Sequence, residues 1–243
     1  MLTRTQRITG KKKNSLIKCF AMDLDATNAA KISKVSRPCA NDWYRHFREQ
    51  IYEHTRLAPR FFGEVEMDQS EFGGRGRKRM QALLKRYAKI LPHSEYMKKA
   101  KAIRKEHKVL VFGILQRGGA VYCHIIKKAD KDTLQPIVRL VVEQGSTVLT
   151  DKWRGFTELK LDGYKHSSVN HSEEYVTKDG VHINGIEAFW SFAKRRISKF
   201  NGIARTTLPL HVKECEFRYN HKDVAGTLKK ILQFPTDKKK KVH

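Results

Sequence analysis

The sequence predicts an α/β protein: a mixed sheet flanked by helices, preceded by a small all-α segment. Three observations carry that expectation. Apolar residues recur at helical spacing in the N-terminal quarter and switch, after Pro59, to the alternation of a strand. Two apolar runs are joined by Arg117-Gly118-Gly119, a strong hairpin signal. Beyond the hairpin, helical and strand patterns alternate, which asks for a sheet covered by helices.

Taken in order, residues 1–15 form a polar, basic arm expected to be flexible. "LIKCFAMDLD" reads as a short helix from Leu16, and "ATNAAKISKVS" as a second with Thr27 at its N-cap. "SRPCANDWYRHFREQIYEHT" is a third, opened by Ser36 as N-cap with Pro38 in its first turn. Its Tyr44, Phe47 and Ile51 make an apolar stripe, with Arg37, Asn41 and Arg45 turned outward. Three short helices with a tight joint suit a helix-turn-helix domain over 16–58, with those three polar residues reading bases. The competing expectation is a three-helix bundle used for packing or dimerisation.

"GEVEMDQSEFGG" alternates as a strand, with Glu64, Glu66, Asp68 and Ser70 on one face and Val65 and Met67 on the other. A very basic insertion with helical stretches follows, over about 75–107. The hairpin "VLVFGILQRGGAVYCHIIKK" is next, then a helix in "KDTLQPIVRLVVEQ" and a buried strand "STVLTD" ending at Asp151. "KWRGFTELK" is a short helix or turn, and "HSSVNH" a further short strand. "HINGIEAFWSFAKRR" and "TTLPLHVKECEFRYN" are helices, the latter with Leu208, Val212, Cys215 and Tyr219 in line. This order over 59–225 is shared by ribonuclease-H-like domains. Residues 226–243, ending in "PTDKKKKVH", read as a basic tail.

Fifty Lys and Arg stand against 25 Asp and Glu, a formal charge of +25 that solubility does not require. Such an excess favours a polyanion by releasing its condensed counterions and steering the encounter, so nucleic acid is the expected partner. Charge alone does not separate DNA from RNA. The four cysteines (Cys19, Cys39, Cys123, Cys215) stand singly without metal-finger spacing, which points to reduced, buried thiols. No run of ~20 apolar residues is present to span a membrane, and "MLTRTQRITGKKKNS" lacks the apolar segment of a secretory signal.

Several acids sit where chemistry could use them. Asp151 directly follows an apolar strand, the end at which α/β sheets present ligands, though it could equally cap a following helix. Asp68 is one of four acids in its stretch, and periodicity does not choose among Glu64, Glu66, Asp68 and Glu71. Glu187 shares an outward stripe with Ser191 and Lys194, opposite the apolar stripe Ile186, Phe189, Trp190, Ala193 and Ile197. Asn184-Gly185-Ile186-Glu187 also fits a capping box, which would occupy the same carboxylate. Carboxylates converging from separate elements are what two Mg²⁺ ions need for phosphodiester chemistry, because Mg²⁺ prefers oxygen ligands.

The 35 residues between Asp151 and Glu187, with Lys194 seven residues on, resemble the D(35)E arrangement of DDE transposases and retroviral integrases. Seven blocks in the same order, "FGEVEMDQSEFGG", "VFGILQRGGAVY", "STVLTDKWRGF", "SSVNHSEEYV", "HINGIEAFWSFAKRR", "KFNGI" and "KECEFRYN", are similar to small bacterial insertion-sequence transposases related to eukaryotic Merlin elements. The similarity runs from about residue 40 to 221. It implies a ribonuclease-H-like catalytic domain in which Asp68, Asp151 and Glu187 are catalytic and hold two Mg²⁺, with Mn²⁺ able to substitute.

Some relatives carry a different third residue, so Asn184 is a lesser candidate for that role. His166, His171 and His182 are candidate accessory residues, and Lys194 and Arg195 candidate DNA contacts. The similarity implies Mg²⁺-dependent strand cleavage and strand transfer at terminal inverted repeats of double-stranded DNA. It also implies action as a homodimer in a bacterial cytoplasm, in association with the nucleoid. The rival expectations are a catalytically idle DNA-binding protein and a structure-specific nuclease on the same fold. Two departures stand out: the basic insertion is longer than usual, and the N-terminal zinc ribbon of some relatives is missing.

Overall fold

A computed structural model describes residues 8–56, 59–73, 77–106, 108–151, 163–169, 183–200 and 202–233. The chain divides into two compact units, Met1–Leu57 with Phe217–His243, and Ala58–Glu216.

The first unit is helical. Helix α1 (Gly10–Ala21) is followed by α2 (Ala26–Ser33) and α3 (Arg37–His54). Asp25, not Thr27, caps α2: its Oδ1 accepts from the backbone N–H of Thr27 at 2.7 Å and of Asn28 at 2.9 Å. A carboxylate is the stronger acceptor at a helix start, where the dipole favours negative charge. Ser36 caps α3 as expected, accepting from Cys39 N. Between α2 and α3 the chain turns at Lys34, whose φ of 51° is left-handed.

A later segment completes this unit. Val224–Gln233, expected to open a basic tail from 226, instead forms a helix that packs against α1 and α3 and buries Leu228 and Ile231. The two lysines at 229 and 230 disguise an apolar spacing of Val224, Leu228 and Ile231, which is that of one helical face. The core formed with Leu16, Ile17, Phe20, Trp43, Phe47, Ile51 and Phe217 is continuous.

The second unit is built on a five-stranded mixed sheet ordered β3-β2-β1-β4-β5. Strand β1 spans Glu64–Gly73, β2 Lys108–Gln116, β3 Val121–Ile126, β4 Thr147–Asp151 and β5 Lys165–Val169. Pairing is antiparallel from β3 through β2 to β1, and parallel from β1 through β4 to β5. The alternation in β1 sends Val65 and Met67 to one face, where α6 (Lys131–Val141) packs with Leu134, Val138 and Val141. The opposite face, with Phe72, Val111 and Leu149, is covered by α7 (Asn184–Ser198) and α8 (Leu208–Asn220).

Helix α7 buries the stripe its period predicts: Ile186, Phe189, Trp190, Ala193 and Ile197. Each fully buried large side chain of this kind contributes about 1.5–3 kcal/mol. In α8 the expected line holds through Leu208, Val212 and Cys215, but Tyr219 is exposed and Phe217 is buried in its place. Arg196 of α7 and Glu214 of α8 form a buried ion pair. The basic insertion forms two helices, α4 (Arg77–Ile90) and α5 (His93–Glu106), between β1 and β2. Helix α9 is the Val224–Gln233 helix of the first unit.

Candidate functional site

Strand pairing determines where the acids meet. Met67 of β1 stands in parallel register with Thr150 of β4, so Asp68 and Asp151 are the next residues on neighbouring strands. Leu149 belongs to the core under α7, and Asp151, two residues on, shares its face with Asp68. Glu187 lies in the first turn of α7, exposed, on the helix that covers this face.

The Asp68 carboxyl feels both of the others. Burial pushes the carboxyl of Asp68 up to about 6 from an ordinary 3.8, and Asp151 and Glu187 add to the push. Opposing them, the Gln69 N–H donates to Asp68 Oδ1 at 2.6 Å and Trp190 Nε1 donates to Oδ2 at 3.0 Å. Burial and neighbouring like charges both disfavour the ionised form of a carboxyl.

Among the described residues no group of three His, Cys, Asp or Glu side chains is gathered tightly enough to hold a metal ion as it stands. Mg²⁺ does not demand such a cage, since it is usually held by one or two carboxylates with water and substrate phosphate. The all-oxygen donor set and the mutual repulsion at Asp68 fit a hard divalent cation on these grounds.

The local supports come from residues that periodicity does not single out. Gly113 of β2 pairs with Asp68, and a Cβ there would lie 2.5 Å from Trp190 Cζ2, so glycine makes room for the indole that holds Asp68. Glu66, two residues before Asp68 on the same face, is buried and accepts from the N–H of Ile186 at 2.8 Å and from Arg117 Nε at 3.1 Å. The capping box at Asn184 is not formed. The N-cap is Ile183, without a side-chain bond, and the Glu187 N–H donates to the Ile183 carbonyl at 3.2 Å.

Asn184 opens α7 and is exposed. Lys194 and Arg195 are exposed further along the helix, Lys194 on the Glu187 side. His166 pairs in register with Val148, whose side chain lies in the α6-side core. The imidazole, on the opposite face of the sheet from Asp68, sits with Nε2 2.8 Å from the Thr150 hydroxyl, so it does not line the carboxylate site. His171 and His182 lie outside the described residues, as do "KWRGFTELK" and the question whether Asp151 caps a following helix. In the helical unit, Arg37, Asn41 and Arg45 are exposed along α3, and Arg45 Nε reaches Glu49 Oε1 at 2.9 Å. None of the helices among the described residues is long and apolar enough to cross a membrane.

Residues 60–220 match the family described as the ISXO2-like transposase domain. The chain is 35% identical over 113 residues, 46% of its length, to a transposase-like protein of Haemophilus influenzae, covering 91% of that protein. It is 28% identical over 198 residues, 78% of its length, to a protein in the transposable element ISH50 of Halobacterium salinarum, of which it covers 64%.

Proposed function

This chain belongs to the ISXO2-like transposase domain family, and on that premise we propose that it is an insertion-sequence transposase acting at the terminal inverted repeats of double-stranded DNA. In this reading Asp68, Asp151 and Glu187 are the catalytic carboxylates. Water attacks a phosphodiester at the element's end, breaking its P–O3′ bond to leave a 3′-hydroxyl and a 5′-phosphate. That 3′-hydroxyl then attacks a target phosphodiester and displaces a target 3′-hydroxyl. The observation that carries it is the register that sets Asp68 and Asp151 side by side on β1 and β4, on the face covered by the helix that bears Glu187. The sheet order β3-β2-β1-β4-β5, antiparallel to β1 and parallel beyond, supports a ribonuclease-H-like catalytic domain.

Asp68 and Asp151 would hold divalent cations between adjacent strands, with Glu187 closing the set from α7. Mg²⁺ or Mn²⁺, when bound, would supply charge neutralisation at the attacking and leaving oxygens. The Gln69 and Trp190 N–H groups each hold one oxygen of Asp68, and together they fix the plane of the carboxylate. Lys194 and Arg195 contact phosphate beside Glu187. The insertion carries 11 Lys and Arg against two Glu over residues 77–106, and grips the backbone without reading sequence. Arg37, Asn41 and Arg45 read bases from α3, as the second helix of a helix-turn-helix does. Two copies bridge the two ends.

The test is end cleavage on labelled inverted-repeat DNA. Asp68→Asn, Asp151→Asn and Glu187→Gln each abolish Mg²⁺-dependent cleavage and joining while end binding persists in a mobility shift, and Ca²⁺ supports binding alone. Full activity in Glu187→Gln with none in Asn184→Ala would transfer the third position to Asn184.

A further inference from the structure

Helix α7 has to begin somewhere, and its own sequence supplies no cap. Ile183 occupies the N-cap position with its side chain buried, so packing has taken the place where Ser, Thr, Asp or Asn would serve the first turn. The orphan N–H of Ile186 is satisfied from the sheet beneath the helix, by Oε2 of Glu66 at 2.8 Å. Glu66 is only 1% exposed, and burying a carboxylate costs several kcal/mol unless it is paired. Arg117 pairs it: Nε reaches Glu66 Oε1 at 3.1 Å while Nη1 reaches Glu64 Oε2 at 2.9 Å. The hairpin turn that carries Arg117 is itself tied down, its backbone N–H donating to the Glu64 carbonyl at 3.0 Å. Gly185 completes the fit, because a Cβ at that position would lie 2.8 Å from Glu66 Oε2 and 3.1 Å from Leu115 Cδ2.

This arrangement has a geometric consequence. Glu66 and Asp68 lie on the same face of β1, about 7 Å apart along the strand. Glu66 holds the amide directly before Glu187, and Asp68 is held by Trp190 one turn further along α7. The strand bearing one catalytic acid is therefore stapled twice to the helix bearing another. With either staple cut, one polar contact fewer fixes the start of the helix against the strand.

Resting on the transposase reading above, we propose that Glu66, clamped by Arg117, is a positioning residue. As the tertiary cap of α7, it fixes the separation of the Glu187 and Asp68 carboxyls and so tunes the affinity for divalent cation. Outer partners that orient metal ligands are typically worth 10- to 100-fold in metal affinity.

The experiment compares the full chain with Glu66→Gln, Gly185→Ala and Glu187→Gln. Three quantities are read: amide exchange at Ile186 and Glu187, the Mg²⁺ midpoint of the thermal shift without DNA, and the Mg²⁺ midpoint of end cleavage. Glu66→Gln should speed exchange at Ile186 and raise both midpoints at least tenfold, with the cleavage rate recovering at saturating Mg²⁺ or Mn²⁺. Gly185→Ala should do the same with every charge intact, by forcing the carboxylate away from the helix end. A Glu66→Gln protein that melts earlier but keeps its Mg²⁺ midpoints overturns the proposal, leaving Glu66 a packing residue. If Glu66→Gln does not fold, Gly185→Ala decides by the same criterion. Unimpaired cleavage in Glu187→Gln would sink the carboxylate assignment itself, and is distinguishable because exchange at Ile186 does not depend on that side chain.

Discussion

Trp190 Nε1 donates a 3.0 Å hydrogen bond to Oδ2 of Asp68, joining a core-packed ring to an acid of the proposed active site. The ring is in edge contact with Phe72, and Gly113 leaves the space it occupies. Packing and chemistry therefore share one side chain, which has two consequences.

The first concerns pH. Because the folded protein holds Asp68 at about 6 against 3.8 for the ordinary carboxyl, its ionisation opposes folding. Well below 3.8 the group is protonated in both states and contributes nothing; as the pH rises from 3.8 to about 6 stability falls, and above 6 the whole penalty is present. That penalty is at most about 3 kcal/mol, part of it screened by solvent. Asp68→Asn should thus melt at a higher temperature than the parent at pH 8 and match it near pH 3.5. Mg²⁺ should narrow the difference at pH 8 by stabilising the parent alone, which differential scanning calorimetry would read.

Gly113→Ala tests the space for the ring. The added methyl carbon would start 2.5 Å from Trp190 Cζ2 and 3.0 Å from Ile186 Cδ1, so the indole must move off Asp68. Overpacking of this kind costs about 1–3 kcal/mol. Denaturant melts should show that loss, and cleavage should fall with it. Trp190→Phe keeps most of the packing but removes the donor, so it should lower cleavage more than it lowers stability.

The helical unit should depend on its last helix. Leu228 is fully buried against residues of α1 and α3, and Leu228→Ala should cost about 2–5 kcal/mol. Truncation after His221 should expose that apolar face and make α1–α3 sensitive to protease. A truncated protein as protease-resistant as the parent would show that the three N-terminal helices stand alone.

DNA contacts should separate by type. Lys194→Ala and Arg195→Ala should weaken binding to all sequences alike and reduce the salt slope by about one each. Arg37→Ala and Asn41→Ala should each cost about 1–3 kcal/mol on the inverted repeat and little on unrelated DNA. Equal losses on both DNAs, measured by fluorescence anisotropy across a salt series, would return α3 to a packing role.

What could be read from the residues alone follows a physical line. Helices α3 and α7, strands β1 and β4 and the hairpin each carry their own period or turn chemistry, so local reading finds them. The cap of α7 does not work that way. Glu66 looks like three other acids nearby, and only its partners mark it out: Arg117 is 51 residues away and Ile186 is 120. The same limit applies to the capping box expected at Asn184, a local pattern that gives way because the buried Ile183 takes the N-cap position. Helix α9 was legible in its apolar spacing, but its lysines and the basic run beyond it read as a tail.

The division of the chain also bears on how it is made. Residues through Leu57 emerge from the ribosome long before Phe217, Leu228 and Ile231, which complete the same core. At usual elongation rates the intervening stretch takes roughly ten to thirty seconds to synthesise. During that interval the nascent N-terminal helices present an uncovered oily surface, an opening for chaperones and for mispairing with another unfinished chain.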